Sequence, residues 1–272
     1  MTLYKEYSFE LENPDVFRDI FIAELALNGF EGFVETEKGF LAYTNTTINP
    51  REYLSKYDTG YQFIVKEIEE ENWNKTWESQ IQPLEIDDFI YIKTSFHPDK
   101  DFPLVITIDP KMSFGTGHHE TTYLMIQQML NLSFKDKTVL DMGAGTGVLA
   151  ILAHQFGARP VYAVDNDKWA YENMLENFAK NQAQSVQAYY GDAELLEKFP
   201  RFDIILANIN RNILLNDMHK YIQKLNNGGR LVLSGFYQED VPLLLNEAKK
   251  YGMIFEKQLQ KNDWISLRLK KM

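Results

Sequence analysis

Polar and apolar residues alternate from Leu3 to Glu12, with Leu3, Lys5, Tyr7, Phe9 and Leu11 on one side and Tyr4, Glu6, Ser8, Glu10 and Glu12 on the other. A period of two predicts a half-exposed β-strand. Asn13-Pro14-Asp15 then reads as a turn and helix start. Val16, Phe17, Ile20, Phe21, Ala23 and Leu27 recur at helical spacing until Asn28-Gly29 stops the run. Phe33 to Thr36 and Phe40 to Thr44 bracket Glu37-Lys38-Gly39, a hairpin signal. Asn49-Pro50 opens a short helix, and Tyr61 to Ile68 closes with a strand. The order β-α-β-β-α-β over residues 1–66 is the split βαβ pattern of a small ferredoxin-like α+β domain. No catalytic constellation falls inside it, so binding or scaffolding is its expected task.

Residues 67–90 read as an acidic connector. Trp73 and Trp77 stand four apart, one face of a helix, and are expected to pack one domain against another. Residues 91–272 change pattern to buried apolar runs separated by turns, the mark of a doubly wound α/β sheet. Strands are predicted at Thr138 to Met142, Val161 to Val164, Val186 to Tyr190, Phe202 to Ala207 and Arg230 to Ser234. Met253 to Gln260 and Trp264 to Leu269 read as a closing antiparallel hairpin.

Chemistry gathers where these strands end. The first runs into Gly143-Ala144-Gly145-Thr146-Gly147, a loop of G-x-G-x-G spacing. A dinucleotide fingerprint needs G-x-G-x-x-G, and Val148 stands at its third glycine position, which disfavours an NAD-dependent oxidoreductase. Asp141 beside the loop would repel a diphosphate and favour a cationic, amino-acid-bearing nucleoside such as S-adenosylmethionine. Asp165 ends the second strand, where a carboxylate suits ribose hydroxyls. Asp192 ends the third, placed either to accept from an adenine amino group or to cap the next helix. Asn208 ends the fourth. Ligands in open α/β sheets bind outside the carboxyl ends of strands, and Gly143, Asp165, Asp192 and Asn208 all fall there.

Charge then separates the two parts. The chain has 28 Lys and Arg against 39 Asp and Glu, a formal net of −11. Nearly all the excess lies early: −12 before residue 91 and +1 after it. An acidic front part argues against non-specific nucleic-acid binding and suits a basic partner. Cysteine is absent, which removes disulfides, thiolate nucleophiles and thiolate metal sites; no other metal-ligand spacing appears. No apolar run of about 18 residues predicts a membrane span, and the acid-bearing N-terminus is unlike a secretory signal. A cytoplasmic protein is expected.

Upstream of the glycine loop lies Asp109-Pro110-Lys111-Met112-Ser113-Phe114-Gly115-Thr116-Gly117-His118-His119-Glu120-Thr121-Thr122. This F-G-T-G-x-H-x-T-T segment, the loop from Asp141 to Gly147 and Ala207-Asn208-Ile209 together resemble the methyltransferases of ribosomal protein L11, over essentially the full chain. The resemblance implies a class I methyltransferase Rossmann-like domain behind the ferredoxin-like one. It implies that Thr122, Gly143, Asp165 and Asn208 contact S-adenosylmethionine, leaving S-adenosylhomocysteine as product. It also implies that the small domain recognises the ribosomal protein, whose lysine and N-terminal amines are methylated. Gly145, Asp192, Phe114 and Gly115 complete the candidate cofactor contacts, Phe114 between two glycines having the character of a lid. Asn208 is the candidate catalytic residue, its side-chain carbonyl accepting from the acceptor amine. His118 or His119 is either a general base or a loop contact over the cofactor. Glu120 and Asn210 depart from the family pattern, which has Pro and a hydrophobic residue there. Two alternatives stay open: a methyltransferase for a nucleic-acid base or small amine, and a non-catalytic S-adenosylmethionine-binding assembly factor.

Overall fold

A computed structural model describes residues 4–57, 59–68, 82–109 and 120–272. The chain divides into two compact units, Met1–Gln80 and Ile81–Met272. Trp73 and Trp77, and with them most of the expected connector, lie outside the described residues.

The first unit is a four-stranded antiparallel sheet with two helices. Strand β1 (Tyr4–Leu11) is followed by the helix Pro14–Leu27, β2 (Gly32–Thr36), β3 (Gly39–Thr44), the short helix Arg51–Leu54 and β4 (Tyr61–Ile68), in the spatial order β2-β3-β1-β4. The alternation in β1 does what a period of two requires. Tyr7, Phe9 and Leu11 are buried with Phe21, Leu25, Phe40 and Leu54, while Glu10 is exposed. Phe9 stacks on Phe40 at 4.7 Å between ring centroids.

The second unit starts earlier than its sequence suggests. Strands β5 (Leu84–Ile86), β6 (Ile90–Lys93) and β7 (Leu104–Thr107) form a separate three-stranded sheet, so residues assigned to the connector belong to this unit. The acids conceal them: Glu85, Asp87 and Asp88 take the outward positions and the turn, with φ of 50° and 49° at the two aspartates. Ile86, Ile90 and Ile92 go into the core.

The main sheet has seven strands: β8 (Val139–Met142), β9 (Val161–Asp165), β10 (Gln187–Tyr190), β11 (Phe202–Asn208), β12 (Leu225–Tyr237), β13 (Met253–Lys261) and β14 (Trp264–Lys271). Their order is β10-β9-β8-β11-β12-β14-β13, with the first five parallel and β14 antiparallel to both its neighbours. Helices Val148–Gln155, Lys168–Lys180, Arg211–Lys224 and Val241–Lys250 alternate with these strands. The central strands are apolar on both faces, and two core clusters form, as expected of a parallel sheet covered by helices. Strand order reverses between β8 and β11, which makes their carboxyl ends the expected ligand crevice.

Asp141 departs from its expected place beside the ligand. It is 1% exposed, and its Oδ2 accepts from Ala150 N at 3.0 Å. The reason is local: Gly147 is the N-cap of helix Val148–Gln155 and has no side chain to offer. The strand carboxylate takes over the cap from outside the helix, serving one of the orphan N–H groups of its first turn. Burial pushes Asp141 up to about 7, aided by the Asp165 carboxylate and opposed by the Ala150 hydrogen bond.

A carboxyl raised in the folded state binds its proton there at pH values where the unfolded chain has lost it. Stability is therefore fully present below about pH 4 and falls as pH rises through about 7, by on the order of 4 kcal/mol for this group alone. Asp141→Asn keeps a carbonyl acceptor for Ala150 and cannot titrate. Denaturant unfolding between pH 5 and 8 is expected to show a fall in wild-type stability that the variant lacks. Parallel curves would mean that Asp141 ionises normally.

Candidate functional site

A cleft of about 400 Å³ opens within the second unit at the carboxyl ends of β8 and β11. Four segments build it: the glycine loop after β8, the end of β9 at Asp165 and Asn166, the turn Asn208-Ile209-Asn210 after β11, and Thr121 and Thr122 at the start of helix Glu120–Met129. Gly235 and Trp264 complete the wall.

The glycine loop is tied to the neighbouring strand. Gly143 N and Ala144 N both donate to Val164 O, at 2.9 and 3.0 Å. Gly145 N then donates to Asp165 Oδ2 at 2.8 Å, while Asp165 Oδ1 accepts from Asp167 N at 2.9 Å. Asp165 is 8% exposed. A carboxylate offers about four lone-pair positions, and two remain after these bonds. Asp165 lines the cleft, so paired hydroxyl donors bound there have acceptor positions to use.

The opposite wall depends on one isoleucine. A Cβ on Gly143, whose φ is 71°, would fall inside van der Waals distance of Ile209 Cγ2. A Cβ on Gly235, with φ of 99°, would strike the Ile209 carbonyl. Both positions need glycine because the β11 turn passes between them. Ile209 N also donates to Ser234 O at 3.2 Å. So placed, Asn208 meets helix Glu120–Met129: its Nδ2 donates to Thr122 Oγ1 at 3.4 Å. Thr122 is 1% exposed. The amide thereby keeps Oδ1 as an acceptor for a ligand N–H.

Thr122, Gly143, Gly145, Asp165 and Asn208 are brought together in this cleft. Asp192 is not among its lining residues. It is exposed at the end of β10, and its Oδ1 accepts from Glu194 N at 3.0 Å, capping the 3-10 helix Ala193–Lys198. Phe114, Gly115, His118 and His119 lie outside the described residues. The two departures from the family pattern have local explanations. Asn210 caps helix Arg211–Lys224 by accepting from Ile213 N at 3.1 Å, and Glu120 accepts from Asn262 Nδ2 at 3.1 Å.

Ile209, Gly235 and Trp264 escaped the sequence reading. Ser234-Gly235 follows an apolar strand at the same edge as Asn208, which is a usable signal. Trp264 is the first residue of an antiparallel strand, and such a strand begins at the edge where the parallel ones end. Its ring lies 4.3 Å from that of Tyr237.

Among the described residues, the lining carries one ionisable group, the Asp165 carboxylate, and no Lys, Arg or His. Three or more His, Asp or Glu side chains arranged for a metal do not occur among the described residues. A site with one acid, a close glycine backbone and an apolar wall fits a ligand that joins a ribose diol to a positive centre, and disfavours a polyphosphate. S-adenosylmethionine has that make-up.

Comparison with known proteins points the same way. A family profile described as ribosomal protein L11 methyltransferase (PrmA) matches residues 24–272. A protein of that name from Bacteroides thetaiotaomicron is 42% identical across 97% of this chain and 98% of its own length. One from Chlorobaculum parvum is 36% identical across 96% and 94%. The crystal structure of a ribosomal protein L11 methylase from Lactobacillus delbrueckii subsp. bulgaricus superposes with a TM-score of 0.64 at 27% identity, over 70% of this chain and 99% of that one. The likeness takes in both the glycine-loop edge and the β11 turn, and the chain belongs to the ribosomal protein L11 methyltransferase family.

Proposed function

We propose that the cleft described above binds S-adenosylmethionine and that methyl groups pass there to lysine and N-terminal amines of ribosomal protein L11. That the chain is an S-adenosylmethionine-dependent protein methyltransferase follows from its family. The reading adds the residues and their work. The observation that carries it is the meeting of Asp165, the glycine loop and Asn208 at the strand-order reversal, where Asp165 is the one carboxylate among the described lining residues.

When bound, the cofactor supplies a methyl group on a sulfonium. The chain's own residues do the rest. Asp165 takes the ribose hydroxyls with its two remaining acceptor positions, and Gly143 and Gly145 let the backbone close on the amino-acid part. Phe114 and Gly115, from their glycine-flanked segment, and Asp192, from its place at the end of β10, remain proposed cofactor contacts. Thr122 holds the Asn208 amide by accepting from Nδ2, so that Oδ1 faces an amine N–H and orients the nitrogen lone pair. An amine attacks only when neutral, and free lysine has a pKa near 10.4. Ile209, Ile213 and Trp264 line this part of the cleft with apolar surface, which disfavours the ammonium form. Alignment and desolvation are thus the protein's main contributions.

The small unit is the proposed substrate-recognition module. Its β-α-β-β-α-β order and the sheet order β2-β3-β1-β4 support a ferredoxin-like fold. The small unit, Met1–Gln80, carries 7 Lys and Arg against 16 Asp and Glu, a net of −9 that complements a basic ribosomal protein. Such a substrate places the reaction in the cytoplasm; no described helix is long and apolar enough to cross a membrane.

Radiolabelled S-adenosylmethionine added with the protein to an extract lacking this activity is expected to label one band of ribosomal-protein size. KM for that protein should rise with ionic strength. Label in RNA or in small molecules alone would overturn the substrate, and a salt-independent KM would remove the electrostatic role of the small unit.

Two substitutions divide the site. Asp165→Ala should weaken S-adenosylmethionine binding by at least about tenfold in calorimetry, the equivalent of one charge-assisted hydrogen bond. Asn208→Ala should lower kcat by about a hundredfold, the order that misplacing a reacting group costs, with a smaller change in cofactor affinity. The opposite pattern for Asn208 would make it a cofactor contact and leave the amine without this acceptor.

A further inference from the structure

A row of asparagines runs along the buried side of helix Lys168–Lys180, away from the cleft lining. Asn173, Asn177 and the C-cap residue Asn181 recur every four residues and are 3%, 0% and 8% exposed. Buried amides are costly unless hydrogen bonded, and these are spent on backbone. Asn173 Nδ2 donates to Asp109 O at 2.7 Å. Asn181 holds Thr107 through both groups, its Oδ1 accepting from Thr107 N at 2.8 Å and its Nδ2 donating to Thr107 O at 2.7 Å. Asn177 does something different. Its Oδ1 accepts from Asp109 N at 3.1 Å, and its Nδ2 donates to Thr146 O at 3.0 Å, inside the glycine loop.

Both ends of this bridge are fixed. Asp109 receives Ser95 N at 2.7 Å, Ser95 Oγ at 2.5 Å and the Lys180 ammonium on its carboxylate. Burial alone would raise that carboxyl, yet Lys180 and Ser95 hold it below the ordinary range. Thr146 is 0% exposed, and the residue before it, Gly145, gives its N–H to Asp165. Met174 and Phe178, on the same helix, lie under Gly147. A shift of the Thr146 carbonyl therefore moves both the loop N–H that meets Asp165 and the N-cap of helix Val148–Gln155.

We propose that Asn177 is a positioning residue for the cofactor: by tying the Thr146 carbonyl to the anchored Asp109 backbone, it sets the glycine loop against Asp165. It touches neither cofactor nor substrate and acts through the loop. The proposal rests on the reading of this cleft as the S-adenosylmethionine site.

The test pairs Asn177→Leu with Asn181→Leu. Both replace a buried amide in one polar row by an apolar side chain of similar size, and both should lower Tm; only the first cuts the link to the loop. Calorimetry with S-adenosylmethionine is expected to show about a tenfold or greater rise in Kd for Asn177→Leu, the loss of roughly one hydrogen bond's worth of order. Asn181→Leu should stay within about threefold. Steady-state kinetics should show the Asn177 effect in KM for S-adenosylmethionine, with kcat little changed. Equal Kd shifts in the two variants, or a Kd for Asn177→Leu unchanged from wild type, would overturn the proposal. Should the leucine variant not fold, Asn177→Ser, a milder truncation, is read by the same criteria. Failure of the wild-type protein to bind S-adenosylmethionine, or wild-type affinity in Asp165→Ala, would instead overturn the cofactor site.

Discussion

The cleft depends on one close approach, that of Ile209 between two strand ends. Gly143 and Gly235 leave no room for a Cβ on either side of it. This contact fixes how far the β11 turn stands from the glycine loop, and the rest of the cleft follows from that spacing. Asn208, one residue earlier, is carried to Thr122. Asn210, one residue later, starts helix Arg211–Lys224. Glycine is required at 235 because its φ of 99° and the Ile209 carbonyl both exclude a side chain. The two glycines come from strands separated by about ninety residues of chain, so the constraint exists only once the sheet has formed.

Two carboxylates on adjacent strands are sent to different tasks by their surroundings. Asp141 on β8 points into the core, takes an orphan helix N–H and is driven toward its neutral form by burial. Asp165 on β9 keeps a small exposure and accepts two backbone N–H groups. The nearby Asp165 carboxylate raises Asp141 further. Two full charges this near each other in a buried setting would repel strongly. Of the two, Asp165 lines the cleft and Asp141 supports the helix behind it. The Asp165 carboxylate at the cleft is thus already oriented by two backbone N–H groups.

Much of this edge was legible because continuous apolar runs ending in Gly, Asp or Asn mark parallel strands and place their last residues on one side. Asp165 and the loop glycines could be read that way. The role of Asp141 could not, since it depends on a helix N-terminus that the strand meets only in three dimensions. Thr122 and Asn208 were joined by family likeness; the chain itself separates them by 86 positions. Trp264 was hidden because its strand runs the other way. The β5–β7 sheet was hidden because short strands rich in acids resemble a linker: Glu85, Asp87 and Asp88 dominate the composition, while Ile86, Ile90 and Ile92 carry the burial.

The glycine loop is packed against Ile209, Met174 and Phe178, and its direction is set by polar groups. On one side the loop meets the Val164 carbonyl and the Asp165 carboxylate. On the other it meets the Asn177 amide. An apolar contact at that second point would hold distance but not direction, whereas an amide that donates to one backbone group and accepts from another holds both. That difference gives a physical reason to bury asparagine where leucine would cost less desolvation. Catalysis that works mainly by alignment tolerates displacements well under an ångström. A directional tie to a rigid helix is therefore worth more to such a site than the same energy spent on packing.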